Sequence, residues 1–256
     1  MLFLDAETVA RATPWTPLMD ALADALRAGA TRSPDRHVHD VSQPDGSTGA
    51  LLLMPSWVDN EAVGVKVVTY FPANAATKHP TVNAAYLLFD GATGLPSATI
   101  EGDALTARRT AAVSALAARH LGRPDADRLL LVGTGQLAPN LALAHAAERE
   151  FVQVAVWGRN QARAEVTATT LADQGLPAIA VDDLAAAASE ADIISCATGA
   201  TTPLIHGDWL RPGTHIDLVG GFRPDMREAD DEAVRRSTIF VDTVAGAGVA
   251  GDLSQP

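Results

Sequence analysis

Hydrophobic and polar positions in the first half of the chain predict a mixture of helices and strands. Apolar residues at helical spacing in 16–28 predict a helix that ends at Gly29. The runs 36–41 and 49–57 flank a Pro-Asp-Gly turn, which predicts a hairpin. Runs at 62–71 and 85–90 predict further strands, and the turn-rich stretch 90–102 predicts a loop.

A second helix is predicted over residues 105–122, with Thr106 as its N-cap and Gly122 after its end. Helical spacing places Arg109 on an otherwise apolar, core-directed face. That face comprises Arg109, Ala112, Val113, Leu116 and His120. Arg109 would also lie in the first turn, where the helix dipole disfavours a cation. A bound carboxylate would offset both costs, and an ion pair with one of the chain's acids is the alternative.

After a polar break at 123–127 the pattern changes to strands that alternate with helical segments, which predicts a parallel, doubly wound sheet. The predicted strands are 128–133, 151–157, 178–181, 192–198, 215–220 and 238–243. We therefore expect an α/β protein with an α+β domain at residues 1–122 and a Rossmann-type domain at residues 123–256.

The apolar run 128–132 leads into Gly133-Thr134-Gly135, and a helical segment follows. In a dinucleotide-binding turn the first glycine permits the tight turn, the second lets the backbone approach the pyrophosphate, and a third small residue, here Ala138, lets helix and strand pack. Phosphates would face N–H groups at the helix start. This turn, including Gln136 and Leu137, is a candidate cofactor site.

The end of the next strand reads Trp157-Gly-Arg159-Asn160, without the acidic residue that an NAD-specific site uses for the ribose. Arg159 can pair with a 2′-phosphate, so the sequence favours NADPH, with NADH as a second possibility. The alternative is a solvated arginine that opens a surface helix.

Lys66 lies in an apolar run typical of a strand buried on both faces. A lysine is costly to bury there unless an anion meets it. A charged residue that protects an edge strand is the alternative. Cys196 lies on a predicted buried strand, where packing explains it better than nucleophilic chemistry. The histidines lack metal-ligand spacing, so no metal is expected.

The formal net charge is −12, which makes nucleic acid an unfavourable partner. No apolar run is long enough to cross a membrane, and the start has no basic stretch of a secretory signal. A single cysteine fits the reducing cytoplasm, which is the location we expect.

Several blocks occur in the order typical of one family: GVKVVTYFPANA, RTAAVSALAARHL, LVGTGQLAPNLALAHAA and GTHIDLVGGFRPDMREADD. Taken together, these blocks show that the sequence resembles the ornithine cyclodeaminase/μ-crystallin family over nearly its whole length. The resemblance implies a substrate-binding and dimerisation domain before a Rossmann domain, a homodimer, and a nicotinamide cofactor. Members of that family usually extend further, so the resemblance also implies that their C-terminal return segment is absent here.

The resemblance implies that Arg36, Lys66 and Arg109 gather the substrate carboxylate, with Lys66 and Arg109 as catalytic candidates. Thr81 matches a substrate-site threonine. Candidate nicotinamide contacts are Cys196, Ala197, Thr198, Val219 and Gly220.

Phe222 stands where ornithine cyclodeaminases carry an acid, which argues against ornithine deamination. The resemblance instead implies reduction of a carboxylate-bearing cyclic imine, Δ1-pyrroline-2-carboxylate or Δ1-piperideine-2-carboxylate. An alanine dehydrogenase or a broader ketimine reductase is an alternative. A non-catalytic protein that binds NADPH and a small ligand is an alternative of another class.

Overall fold

The computed structural model describes residues 1–221 and 223–256, except for the side chains at 245 and 246. The chain divides into two compact units, Met1–Arg109 and Thr110–Pro256. This division lies inside a helix that spans Gly102–Leu121, whereas the sequence pattern placed a boundary after that helix. Phe222, the residue that argues against ornithine deamination, lies outside the described residues.

The first unit is built on a six-stranded sheet with the order β1-β6-β5-β4-β3-β2. Its strands are β1 (Leu2–Leu4), β2 (His37–Ser42), β3 (Thr48–Val58), β4 (Ala62–Tyr70), β5 (Val82–Asp90) and β6 (Pro96–Glu101). Neighbouring strands are antiparallel except for β1 and β6. The predicted hairpin is confirmed as β2 and β3. The loop prediction for 90–102 is wrong in part, because pairing with β5 makes a strand of Pro96–Glu101 and buries Ala98.

Two helices precede the hairpin, α1 (Ala6–Ala12) and α2 (Trp15–Ala28). The carboxylate of Asp5 accepts a hydrogen bond of 2.9 Å from the backbone N–H of Thr8 and so caps α1. Helix α2 ends at Gly29, which has a φ of 59° as the prediction required.

Helix α3 (Gly102–Leu121) begins earlier than the sequence indicated. The carboxylate of Glu101 accepts from the backbone N–H of Ala104 at 2.6 Å and so performs the capping that we assigned to Thr106. Thr106 lies inside the helix, where its hydroxyl donates to the Gly102 carbonyl at 2.6 Å. The placement of Arg109 in the first turn is therefore wrong, and the dipole argument no longer applies to it. Gly122 follows the helix end as predicted.

The core-directed face predicted for α3 is confirmed at Ala112 and Leu116 and is wrong at Arg109 and His120. The buried apolar side chains of this helix are Ala111, Ala112, Ala115, Leu116 and Ala118. Arg109 and His120 are exposed, because the buried stripe is rotated away from them.

The second unit contains a fully parallel sheet with the order β11-β10-β7-β8-β9. Its strands are β7 (Arg128–Val132), β8 (Gln153–Trp157), β9 (Ala178–Ala180), β10 (Ile193–Cys196) and β11 (His215–Leu218). Its helices are α4 (Leu137–Ala146), α5 (Gln161–Asp173), α6 (Leu184–Glu190), α7 (Asp231–Arg236), α8 (Val244–Ala247) and α9 (Gly251–Ser254). Helices connect β7 to β8, β8 to β9 and β9 to β10, so the predicted Rossmann-type arrangement is confirmed.

The strand predicted at 238–243 is wrong. These residues, all of them described, have no strand conformation, and Ile239, Phe240 and Val241 are exposed. A β-branched run becomes a strand when a neighbouring strand offers it hydrogen bonds, and the described sheet does not extend to this segment.

Candidate functional site

Lys66 lies on β4, which has β3 on one side and β5 on the other, so the edge-strand interpretation of this lysine is wrong. Cross-strand pairing places Met54, Lys66, Tyr86 and Ile100 in one row, and residues directly opposite share a face of the sheet. Arg36 lies immediately before β2, whose first residue, His37, pairs with Leu53 of β3.

A small cavity of about 120 Å³ lies over this row. It is lined by Lys66, Tyr86, Gly102, Leu105, Thr106 and Arg109. Gly102 lets α3 start directly against β5, because a Cβ there would lie 2.4 Å from the carbonyl carbon of Ala84. The sheet and the first turns of α3 therefore bring Lys66 and Arg109 to the same cavity.

The electrostatics of Lys66 connect all three predicted carboxylate ligands. Burial lowers the pKa of the Lys66 ammonium below its usual 10.5, and the positive charges of Arg109 and Arg36 lower it further. Asp103 opposes this effect. Arg36 and Arg109 are thus each close enough to repel the Lys66 ammonium, as expected of a site that receives an anion.

Asp103 is a site residue that the sequence reasoning missed. Burial raises the pKa of its carboxyl above 3.8, and nearby Glu101 raises it further, whereas Lys66 lowers it. Its position beside Gly102 at the start of the arginine-bearing helix was the available signal.

Thr81 precedes β5, and its carbonyl accepts a hydrogen bond of 2.7 Å from the Phe71 N–H. Tyr86, which lines the cavity, is near the middle of that strand. Among the described residues Thr81 does not contribute to the cavity lining, and its role in substrate binding stays a prediction.

The turn after β7 has the geometry that a bound dinucleotide needs. Gly133 has a φ of 121°, and a Cβ there would lie 2.5 Å from the Ala197 carbonyl oxygen. At Gly135 a Cβ would meet no atom within 4 Å in the described chain, which leaves space against the backbone. Ala138 is buried, and its N–H donates to the Gly135 carbonyl at 3.1 Å. These residues fit a pyrophosphate at the start of α4.

The segment after β8 runs against this turn, since a Cβ on Gly158 would lie 2.6 Å from the Thr134 Cγ2. The Asn160 side chain accepts from the Arg163 N–H at 3.1 Å and caps α5. The Trp157 indole N–H donates to the Asp182 carbonyl at 3.2 Å. Arg159 is exposed beside them, where it can meet a ribose substituent.

Backbone hydrogen bonds join the carboxyl ends of β10 and β11 to each other and join the end of β10 to β7. The Val219 N–H donates to the Cys196 carbonyl and the Ala197 N–H donates to the Val132 carbonyl, both at 2.9 Å. Cys196 is fully buried, and burial raises the pKa of its thiol well above 9.0, which supports the packing interpretation.

A buried acid, Glu228, completes this region and was also missed. Its carboxylate accepts hydrogen bonds from Thr198 and from the Gly220 N–H. In the sequence it lies within a charged run, MREADD, which gives no indication of burial.

Residues 1–221 and 223–256 contain no group of three or more His, Cys, Asp or Glu side chains placed to hold a metal ion. Within the same residues no helix has both the length and the apolar character required to cross a membrane.

A parallel sheet with a glycine turn after its central strand defines a dinucleotide-binding α/β protein. The profile of the ornithine cyclodeaminase/mu-crystallin family matches residues 1–255, and the chain belongs to this family. It is 40% identical to the Δ1-pyrroline-2-carboxylate reductase of Paracoccus denitrificans, over 91% of this chain and 74% of that protein.

Two solved structures are similar over the whole chain. The Δ1-pyrroline-2-carboxylate reductase of Thermococcus litoralis, in complex with NADH and L-proline, has a TM-score of 0.90 at 32% identity, with 80% of its chain covered. An archaeal alanine dehydrogenase dimer with bound NAD has a TM-score of 0.88 at 25% identity, with 78% covered.

Proposed function

We propose that this protein reduces Δ1-pyrroline-2-carboxylate, Δ1-piperideine-2-carboxylate or both to L-proline and L-pipecolate with a nicotinamide cofactor. The observation that carries the proposal is a small cavity lined by Lys66 and Arg109, with a third cation, Arg36, near enough to lower the pKa of Lys66. The P. denitrificans and T. litoralis relatives, both named as reductases of this imine, support the choice of substrate.

The three cations are suited to the carboxylate that both imines carry on the C=N carbon. An arginine pairs with a carboxylate bidentately and an ammonium as a point charge, so Arg109 and Lys66 would fix the acid in one orientation. The cost of gathering like charges is recovered when the anion binds. Their main contribution to rate is positioning.

Bound NAD(P)H supplies the hydride that reduces the imine carbon. Lys66, whose pKa is lowered by burial and by Arg109, gives up a proton more readily than an ordinary lysine. It is therefore the group we assign to holding a proton near the imine nitrogen, with Asp103 as its counter-charge.

For the cofactor we propose a preference for NADPH over NADH. Arg159 follows β8 at the turn where an NAD-specific protein carries an acid, and its side chain is exposed to meet a 2′-phosphate. The bound NADH of the T. litoralis structure makes NADH the second candidate.

We also propose that the protein forms a homodimer through the outer face of the first sheet. Apolar side chains on the face opposite Lys66 are partly exposed, among them Leu53, Val65, Val67 and Leu87. An apolar sheet face of this kind is typically covered by a partner. The archaeal alanine dehydrogenase is described as a dimer.

The first test is a spectrophotometric assay of the purified protein with Δ1-pyrroline-2-carboxylate and either NADPH or NADH. We expect rapid cofactor oxidation, with NADPH the better cofactor. Lys66→Ala and Arg109→Ala should each lower kcat/KM by about 100-fold, which corresponds to roughly 2.7 kcal/mol of lost charge-assisted binding. Arg27→Ala, which removes an exposed arginine of the same unit, is the control and should leave kcat/KM unchanged.

Other outcomes would contradict the proposal. Faster oxidation with pyruvate and ammonia than with the imine would indicate an alanine dehydrogenase. Tight cofactor binding without oxidation of any imine would indicate the non-catalytic class. Unchanged kcat/KM in Arg109→Ala would exclude the proposed binding of the substrate carboxylate by these cations.

A further inference from the structure

Glu228 is a fully buried acid that joins two loops of the second unit. Its Oε1 accepts from the Thr198 backbone N–H at 2.6 Å and from the Thr198 hydroxyl at 2.7 Å. Its Oε2 accepts from the Gly220 N–H at 2.7 Å. One carboxylate thus spans the segments that leave β10 and β11.

A second buried acid holds Glu228 in place. Oδ1 of Asp252, from α9, accepts from the backbone N–H groups of Glu228 and Ala229 at 2.8 and 2.9 Å. Burial raises the pKa of the Glu228 carboxyl, and the charge of Asp252 raises it further. Two buried acids are a costly way to join loops, because an apolar contact would serve stability better.

The location of the two loops indicates a functional reason for burying the two acids. They leave the carboxyl ends of β10 and β11, the edge at which open parallel sheets bind ligands. The Thr198 loop also touches the dinucleotide turn, since a Cβ on Gly133 would lie 3.3 Å from the Thr198 Cγ2. Gly220 is confined as well, with a Cβ position 2.1 Å from the Thr198 carbonyl oxygen.

We propose that Glu228 is a positioning residue for the nicotinamide half of the cofactor: its carboxylate fixes Thr198 and Gly220 in the arrangement that the nicotinamide ring contacts. This inference rests on the proposed function. It goes beyond it in assigning a role to an acid that touches neither substrate nor cofactor.

The substitution Glu228→Gln tests this with little change in volume. A glutamine amide keeps one acceptor oxygen and replaces the other by an NH₂ donor. Either Thr198 or Gly220 then presents its N–H to another donor, so the two loops can no longer both keep their arrangement. The pyrophosphate turn, with Gly135 open to solvent, makes none of these hydrogen bonds and should be unaffected.

The experiment compares whole cofactors with fragments that lack nicotinamide, by calorimetric titration of the complete chain. The pairs are NADPH with 2′-phospho-ADP-ribose and NADH with ADP-ribose. In Glu228→Gln the dissociation constant of the whole cofactor should rise about 10-fold, the equivalent of one lost charge-assisted hydrogen bond. That of the fragment should change by less than about 2-fold.

Glu148→Gln is the matched control, because Glu148 is a largely buried acid of the same unit that pairs with Arg119. It should change the dissociation constants of the whole cofactor and of its fragment by the same factor, or leave both unchanged. Thr198→Val is the second variant, for use if Glu228→Gln does not fold. It keeps the backbone bond from Thr198 to Glu228 but removes the hydroxyl, which donates to Glu228 at 2.7 Å and accepts from the Ala200 N–H at 3.3 Å. It should weaken binding of the whole cofactor selectively, by about 3-fold.

Equal weakening of cofactor binding and fragment binding in Glu228→Gln, or no weakening of either, would overturn the inference. Glu228 would then only stabilise the two loops. A selective effect in Glu148→Gln would overturn it as well. If the wild-type protein binds none of the four ligands, the proposed function itself fails, and this inference falls with it.

Discussion

At the scale of single residues, the two glycines of the dinucleotide turn meet different constraints. Gly133 has a left-handed φ of 121° and is closely approached by the Ala197 carbonyl, so Gly133→Ala should destabilise the fold. Gly135 faces open space, so Gly135→Ala should fold normally but hinder the close approach of a pyrophosphate. We expect a lower Tm in Gly133→Ala by differential scanning fluorimetry. In Gly135→Ala we expect an unchanged Tm with a KM for NADPH raised about 10-fold.

The pair of variants is its own control, because the same methyl group is added two positions apart. A fall in Tm for Gly135→Ala would mean that the space beside it is needed by the protein itself. An unchanged KM for NADPH in that variant would place the pyrophosphate elsewhere.

The sequence pattern selected Lys66 because a lysine conflicts with its apolar strand, and the structure places Lys66 on an interior strand. It selected Arg109 from a first-turn position and a core-directed face, neither of which the structure shows, although Arg109 does line the same cavity as Lys66. The family resemblance, not the local pattern, identified Arg36. Glu228 was missed because it lies in a charged run, where an acid looks solvated, and Asp103 because an acid at the start of a helix is ordinary. Their burial depends on strands and loops distant in sequence, which a local pattern does not contain.

At the scale of elements, strongly periodic segments were predicted well and pairing-dependent ones were not. The hairpin and the strands of the second sheet were recovered because their apolar runs are bounded by turn residues. Strand β6 was missed because its partner β5, rather than its composition, makes it a strand. The segment 238–243 shows the converse, since strand propensity without a pairing partner leaves an irregular segment.

The strands β7 and β10 are joined at their amino ends by the buried Asp192. Its carboxylate accepts from Arg123 at 2.7 Å, from Arg211 at 3.1 Å and from two backbone N–H groups. Burial raises the pKa of the Asp192 carboxyl, but these partners outweigh it and leave the pKa below 3.8. Because the pKa is lower in the folded state, the ionised carboxylate stabilises the fold above the unfolded value, and this stabilisation is lost as the pH falls through the folded value.

The variant Asp192→Asn should therefore lower the free energy of unfolding by about 2 kcal/mol at neutral pH, as for a lost hydrogen-bonded charge. The difference from wild type should shrink as the pH falls below 3.8. Urea unfolding between pH 7 and pH 3 measures both quantities. Asp173→Asn, at an exposed position, is the control, and a constant difference at all pH values would contradict the assignment.

At the scale of the whole molecule, we propose that the two faces of the first sheet have different roles, one in substrate binding and the other in dimerisation. Alternate residues along β4 point to opposite sides, so Lys66 faces the cavity while Val65 and Val67 face outward. Val67 pairs with Leu53 and Ala85, which makes it a central position of the outer apolar face. A carboxylate at such a position would be desolvated on dimerisation without a partner cation, which is costly.

We therefore expect Val67→Asp to convert the proposed homodimer to a monomer, as measured by light scattering coupled to size-exclusion chromatography. The monomer should remain folded by circular dichroism, because Val67 is partly exposed in the single chain. Val166→Asp makes the same substitution at a site that is 67% exposed on α5, and it should remain dimeric. If both variants dimerise like the wild type, the outer face is not the interface. If the wild type is itself a monomer, the proposal of a homodimer fails. The proposal that cations on the opposite face bind the substrate carboxylate is not affected by that result.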